Sequence, residues 1–204
     1  MNILLINPSY METIPDDVFF SITGYTIPHI GLGYIASYLQ ENGHNVTLIE
    51  CMGQSYNRED VFRVIDMGEY EAIGISVYDG NRVNAIRILN YIKRKYPDLF
   101  VFFGGYTATL EYESLLRRLR TLDCCVIGEG EITVLELVNC ICSNASIMQV
   151  AGIAYRSGDE IIRTCPRKLI EDINFDIVNI TLHFFLKDVR SMLPPAVNHS
   201  SAVS

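Results

Sequence analysis

The sequence has few of the features that mark membrane, secreted or nucleic-acid-binding proteins. Its 204 residues include no Trp and only 16 Lys and Arg against 24 Asp and Glu, so the formal net charge is -8. Binding to phosphate backbones needs an excess of basic side chains. No apolar run approaches the roughly 20 residues that a membrane-spanning helix needs, and residues 1–6 lack the basic start of a signal peptide. These absences predict a cytoplasmic protein that binds neither nucleic acid nor membrane.

The cysteines lack the spacing of common metal sites. No pair forms Cys-x2-Cys, and the Cys-x3-Cys-x2-Cys run that would hold a four-iron cluster does not occur. We therefore predict reduced, mostly buried thiols, with structural zinc as the alternative. We expect no iron–sulfur cluster in this chain and no reductive cleavage of S-adenosylmethionine by it.

Strand and helix patterns alternate along the first 148 residues. Short apolar runs predict strands at 2–6, 45–50, 72–77, 101–103 and 124–127. Apolar residues at helical spacing predict helices over 31–42, 58–67, 81–96, 112–120 and 132–142. Apolar strands alternating with helices predict an α/β fold with a doubly wound, mainly parallel sheet, Rossmann-like or flavodoxin-like.

The pattern changes after residue 150. Two short strand patterns flank Ser157-Gly158-Asp159, which predicts a β-hairpin appended to the sheet. We therefore divide the chain into an α/β domain at 1–148, a hairpin at 149–165, and a linker with a disordered tail at 166–204.

Unusual residues follow the strands at one edge of the predicted sheet, where ligands of such folds bind. A long loop at 7–28 follows the first strand, and loops of this length are usually functional. The candidate binding residues at the four strand ends are Asn7, Pro8, Ser9 and Tyr10; Ser76, Val77 and Tyr78; Gly104, Gly105 and Tyr106; and Gly128, Glu129, Gly130 and Glu131. Gly31, at the start of the first predicted helix, is a further candidate binding residue.

Each of these motifs also has a purely structural interpretation. Gly104-Gly105 lets a ligand approach the backbone or simply forms a tight turn. Ser76 binds a ligand or the nearby backbone. For Glu129 and Glu131 we favour capping of the next helix over acid–base chemistry, because no His, Lys or nucleophile lies nearby in sequence. Gly31-x-Gly33 does not form a dinucleotide fingerprint, since residue 36 is Ala and the first strand lies far upstream.

Taken in order, these segments resemble the cobalamin (B12)-binding domain that precedes the catalytic core of B12-dependent radical-SAM enzymes. The resemblance covers residues 1 to about 178. The matching stretches are residues 3–8, 28–39 with 43–46, 73–76, 103–105 and 127–131, followed by 152–156 in the hairpin. The family implies that cobalamin is the cofactor and that Ser76 with Gly104-Gly105 contacts its nucleotide tail.

The sequence departs from the Asp-x-His-x-x-Gly motif of related B12 proteins, whose His ligates cobalt. If Gly31 takes the place of that glycine, Pro28 stands at the histidine position and Thr26 at the aspartate position. The resemblance therefore implies a cobalamin site without a histidine lower ligand. We interpret His29 as a polar loop residue and His44, at the far end of the helix, as structural.

Two functions remain open from the sequence. The first is a cobalamin-binding module, related to methyl transfer, that lacks the radical-SAM core in this chain. Such a module would be an excised piece, a truncated product or a stand-alone carrier, and its partner would be a radical-SAM catalytic domain or separate subunit. The alternative is a flavodoxin-like or receiver-like signalling or interaction domain without corrinoid. Against it, Ser76-Val77-Tyr78 occupies the strand end where a receiver needs its phosphorylatable Asp.

Overall fold

A computed structural model describes residues 1–10, 29–51 and 56–170 as an alternation of strands and helices. The strands are β1 (Asn2–Asn7), β2 (Asn45–Glu50), β3 (Ala72–Ser76), β4 (Phe100–Gly104), β5 (Cys124–Val126), β6 (Ile153–Ser157) and β7 (Glu160–Arg163). The helices are α1 (Ile30–Glu41), α2 (Arg58–Met67), α3 (Arg82–Lys95), α4 (Tyr106–Arg118) and α5 (Glu131–Cys142), with a 3-10 turn at Ile147–Gln149. No helix in these ranges is long and apolar enough to cross a lipid bilayer.

The strands pair in the order β2-β1-β3-β4-β5-β6-β7. The pairings from β2 through β5 are parallel, and those of β6 and β7 are antiparallel. This confirms the predicted parallel sheet with an appended hairpin. Because the parallel strands point the same way, the carboxyl ends of β1 to β5 meet at one edge, called here the carboxyl edge.

Helices cover both faces of the sheet. Side chains alternate along a strand, so Ile3 and Leu5 of β1 pack with α1 and α5, whereas Leu4 and Ile6 pack on the opposite face with α2, α3 and α4. All four side chains are fully buried. This double burial explains why the strands read as apolar runs.

The predicted start of α4 at residue 112 is wrong, because the helix begins at Tyr106. Gly105 turns the chain with a positive φ of 90°, so helical geometry starts at the next residue. In this first part of α4 the usual pattern is inverted: Tyr106 and Leu110 are 75% and 62% exposed, while Thr107 and Ala108 are buried. A periodicity search based on large apolar residues therefore misses it. At Glu111 the helix departs from helical geometry (φ -118°, ψ 19°).

Half of the cysteines are buried. Cys51, Cys124 and Cys125 are inside, Cys140 is half-buried, and Cys142 and Cys165 are exposed. Burial raises the pKa of the Cys125 thiol to about 12, which disfavours the reactive thiolate. In the described ranges, no group of three or more His, Cys, Asp or Glu side chains is placed to hold a metal ion.

Two predicted segments lie largely outside the described residues: loop 7–28 beyond residue 10, and the linker and tail beyond residue 170. The domain boundaries at 148 and 165 stay predictions. The described start of the linker runs back along α5. There the Arg167 side chain donates to Thr133 Oγ1 at 2.8 Å and pairs with the Glu136 carboxylate.

The hairpin is tied to the sheet's helical layer by Arg156 of β6. Its guanidinium donates to the carbonyl oxygens of Leu116, of Leu119 at 3.2 Å and of Arg120 at 2.8 Å. These carbonyls stand at the end of α4, where helical partners run out and the helix dipole favours positive charge. The hairpin thus supplies the cap of a helix more than 35 residues upstream.

We predict that Arg156→Met lowers the free energy of unfolding by about 1–3 kcal/mol, since three carbonyls lose a charged donor. Urea unfolding measures the change. Arg117→Met is the matched control, because the Arg117–Glu113 pair is exposed on the same helix and such pairs contribute about 0.5 kcal/mol or less. Equal effects of the two substitutions would contradict the capping role.

Candidate functional site

A cavity of about 170 Å³ opens at the carboxyl edge, between the sheet and the helices α1 and α5. Its walls are mainly apolar and are formed by Leu5, Leu32, Ile35, Phe102, Val126 and Val134. Pockets that enclose a drug-sized ligand are typically about 300–1,000 Å³. This cavity therefore fits one apolar part of a larger ligand, the rest of which would lie outside its mouth.

The glycine at the middle of β3 sets the shape of the cavity floor. A Cβ at Gly74 would lie 2.5 Å from Phe102 Cζ and 2.8 Å from Leu5 Cδ2. These contacts are far inside van der Waals distance, so the two side chains occupy the space that any other residue at 74 would need. The floor is consequently lined by side chains of the neighbouring strands.

Gly104 and Gly105 form the turn from β4 into α4 beside the end of β3. Val77 N–H donates to Gly104 O at 2.8 Å, and Thr107 N–H donates to Val77 O at 3.0 Å. A Cβ at Gly105 would lie 3.1 Å from Val77 O and 3.2 Å from Ser76 Oγ, and its φ of 90° strains any L side chain. The turn is tight and also brings bare backbone to the cavity mouth, so both interpretations of this motif apply.

His29 joins three elements at the same edge. It is the N-cap of α1: its Nδ1 accepts a hydrogen bond from Leu32 N–H at 3.1 Å. Its Nε2 lies 3.1 Å from Ser76 Oγ at the end of β3, and its backbone N–H donates to Glu50 Oε2 at 3.0 Å. His29 is therefore a structural bridge at the cavity wall, and the interpretation as a simple loop residue was incomplete.

The hydrogen bonds of His29 fix its tautomer. Because Nδ1 accepts from a backbone N–H, it carries no proton, so in the neutral ring the proton is on Nε2 and is donated to Ser76 Oγ. Burial lowers the pKa of His29, and a hydrogen bond with its own backbone opposes this. The ring is thus neutral at pH 7, with both nitrogens engaged.

A buried amide–carboxylate pair lies beneath this bridge. Asn7 Nδ2 donates to Glu50 Oε1 at 2.7 Å and to Oε2 at 3.0 Å, and both residues are almost fully buried. Asn81 Nδ2 donates to Ser76 O at 3.0 Å and lies 3.4 Å from Asn7 Oδ1, to which it also donates. The ends of β1, β2 and β3 are therefore connected by side-chain hydrogen bonds, which reduces the cost of burying these polar groups.

The segment after β5 forms the rest of the mouth. Gly128 N–H donates to Thr109 Oγ1 at 3.0 Å, with Gly128 at a φ of 78°. Glu129 Oε2 accepts from Ile170 N–H at 2.7 Å, so Glu129 binds the start of the linker. Glu131 is the first residue of α5, and its Oε2 is buried without a hydrogen-bond partner in the described residues.

The predicted site residues divide into two groups. Eight line the cavity: Gly31, Ser76, Gly104, Gly105, Gly128, Glu129, Gly130 and Glu131. The other seven are at the carboxyl edge but do not line the cavity: Asn7, Pro8, Ser9, Tyr10, Val77, Tyr78 and Tyr106.

Most of this second group has internal partners. Asn84 of α3 donates to the carbonyl oxygens of Ser9 and Tyr10, and the rings of Tyr10 and Tyr78 lie 5.3 Å apart, edge to face. Val77 is buried in the core on the opposite face. The sequence reasoning missed the apolar walls. The sequence offered one indication of them, because side chains alternate along a strand. Leu5 and Phe102 each lie two residues before the last residue of the strand that contains them, and so on the same face as that residue.

A parallel sheet with a glycine-rich carboxyl edge and an apolar cavity beside it is typical of α/β domains that bind nucleotide-containing cofactors. Residues 18–138, more than half of the chain, match the B12 binding domain family. The chain belongs to this family. The match confirms the resemblance to the cobalamin-binding domain of B12-dependent radical-SAM enzymes and favours it over the receiver-like alternative.

Relatives with assigned names support the same relationship. The chain is 27% identical over 174 residues to an uncharacterized methyltransferase of Pyrococcus horikoshii, and this match covers 85% of the chain and 37% of that protein. It is 29% identical over 176 residues to an anaerobic magnesium-protoporphyrin IX monomethyl ester cyclase of Synechocystis, and this match covers 85% of the chain and 34% of the cyclase. The chain therefore spans about a third of the length of these relatives.

A solved structure has the same fold. The cobalamin-dependent S-adenosylmethionine radical enzyme OxsB, with aqua-cobalamin and S-adenosylmethionine bound, superposes with a TM-score of 0.69 at 20% identity. The match covers 90% of this chain and 25% of that one. At this identity the comparison concerns the fold alone.

The state of His29 generates a pH-dependence prediction. Its folded pKa lies below the ordinary 6.5, so between these values the unfolded chain binds more protons, and stability falls as pH drops below 6.5. His29→Asn keeps an N-cap acceptor but does not titrate. Urea unfolding at pH 7.5 and 5.5 should therefore show a smaller acid loss in His29→Asn than in wild type. The difference is at most about 1.4 kcal/mol per pH unit. Equal losses would show that His29 is not held neutral.

Proposed function

We propose that this chain is the cobalamin-binding module of a B12-dependent radical-SAM-type protein related to methyl transfer. Its catalytic domain would lie in another part of the protein or in a separate subunit. The observation that carries the proposal is the apolar cavity between sheet and helices, whose mouth is made of glycines at the ends of β4 and β5. The chain belongs to the B12 binding domain family, and one of its relatives is named as a methyltransferase. This relationship supports methyl transfer as the reaction class.

The residues present fit cobalamin. We assign the base of the nucleotide tail to the cavity, where apolar walls such as Ile35 and Phe102 exclude water from it, and the rest of the tail and the corrin to the mouth and beyond. Gly104 and Gly105 place no side chain in the path of the tail. Ser76 is held by His29 at the same place, so its hydroxyl is oriented before the ligand arrives.

Within this proposal the chain binds and orients the cofactor, while the reaction chemistry belongs to the cofactor itself. Methylcobalamin, when bound, would supply a transferable methyl group. The protein would contribute a rigid platform, because the carboxyl edge is connected by the Asn7–Glu50 and His29–Ser76 hydrogen bonds. Substrate recognition would belong to the catalytic partner.

We predict that Gly105→Leu weakens cobalamin binding by at least about 10-fold, or about 1.4 kcal/mol, because its side chain would extend where the tail passes. Binding is measured by absorption after addition of hydroxocobalamin and desalting.

Gly43→Leu is the matched control. Gly43 has a similar φ of 84° but open space around it, at the far end of α1, so it reproduces the backbone strain without the obstruction. Unchanged affinity in a folded Gly105→Leu protein would remove Gly105 from the site.

We further predict that bound cobalamin has no histidine as lower cobalt ligand. The Nδ1 lone pair of His29 is used by Leu32 N–H, and its Nε2 proton by Ser76. Ligation would require the other tautomer and the loss of the α1 cap. Paramagnetic-resonance spectra in the Co(II) state should therefore be the same for wild type, His29→Ala and the control His44→Ala. Nitrogen splitting that disappears only in His29→Ala would show that His29 ligates cobalt.

A further inference from the structure

Glu131, the first residue of α5, brings a carboxylate group to the cavity. Glu131 Oε2 is buried and has no hydrogen-bond partner among the described residues, although Glu131 lines the cavity. A buried carboxylate oxygen without a partner is costly, so such groups usually have a role or an absent partner. The neighbouring Glu129 differs, because its Oε2 is satisfied by Ile170 N–H.

The position of Glu131 is fixed by tight packing. It begins α5 directly after Gly130, where a Cβ would lie 2.5 Å from Ile35 Cδ1 of α1. The close contact of the two helices keeps the start of α5 against the cavity wall. Burial raises the pKa of Glu131, and hydrogen bonds from its own N–H and from Gly130 N–H oppose this.

The surroundings restrict what could meet this oxygen. No Lys or Arg lines the cavity in the described part of the chain, and its charged groups are Glu129 and Glu131, with His29 neutral. A phosphate would therefore meet carboxylates with no compensating cation. A ligand hydroxyl, in contrast, donates to a carboxylate oxygen, as ribose hydroxyls do to the acidic residue of dinucleotide-binding folds.

We propose that Glu131 accepts a hydrogen bond from a ribose hydroxyl of the cobalamin nucleotide tail and thereby selects corrinoids that carry this tail. This inference rests on the proposed function, since it requires the tail to occupy the cavity. Glu131 is on this account a specificity-determining residue. The apolar walls hold the base of the tail and Glu131 identifies the sugar next to it.

The test compares two ligands on the full chain. Cobalamin and cobinamide, both as dicyano forms in excess cyanide, have the same axial ligands, and only cobalamin carries ribose, phosphate and base. Their dissociation constants are measured by absorption titration for wild type, Glu131→Ala and Glu131→Gln. The control for loss of one negative charge is Glu41→Gln, because Glu41 is exposed at the far end of α1 and does not line the cavity.

Glu131→Ala should weaken binding of cobalamin by about 10-fold and change that of cobinamide less than twofold. Glu131→Gln, which keeps an acceptor oxygen of the same reach, should retain most of the preference for cobalamin, and Glu41→Gln should leave it unchanged. Equal weakening of both ligands, or no weakening of either in folded protein, would overturn the role of Glu131. Failure of the wild type to bind cobalamin would instead overturn the proposed function.

Discussion

The site depends on one requirement, that the polar ends of adjacent parallel strands be satisfied without filling the space beside them. His29 meets much of this requirement. Its ring caps α1 through Nδ1 and reaches Ser76 of β3 through Nε2, while its N–H contacts Glu50 of β2. Because one residue connects three elements, the helix start and two strand ends hold fixed positions around the cavity mouth.

Missing side chains are as important as the ones present. Gly74 leaves space that Phe102 and Leu5 occupy, and Gly105 lets β4 turn beside the end of β3, where a Cβ would lie 3.1 Å from Val77 O. Gly130 lets α5 approach Ile35 of α1. Each of these glycines allows a close approach that a Cβ would prevent. The shape of the cavity therefore depends on several glycines together with the apolar side chains of its walls. A cavity built in this way is sensitive to any added Cβ at its rim.

The two glutamates at the start of α5 have the same interpretation from the sequence but different surroundings in the structure. From the sequence both were interpreted as caps of the next helix, and the structure separates them: Glu129 Oε2 accepts from Ile170 N–H, whereas Glu131 Oε2 has no hydrogen-bond partner among the described residues. The difference arises because residue 130 ends the loop and residue 131 begins the helix. Both residues line the cavity, but Glu129 also contacts the start of the linker.

The sequence by itself determined the α/β alternation, the bounds of most elements and the set of strand ends where a ligand would bind. These follow from local patterns, since apolar periodicity and turn residues act over a few neighbours. The early start of α4 escaped because Tyr106 and Leu110 invert that local pattern. Only the tertiary structure decided that His29 would meet Ser76, 47 positions away, and that Asn7 would bind Glu50 instead of facing the cavity. Such pairings depend on strand order, register and crossover, which bring distant residues together and have no signature in the residues near each partner.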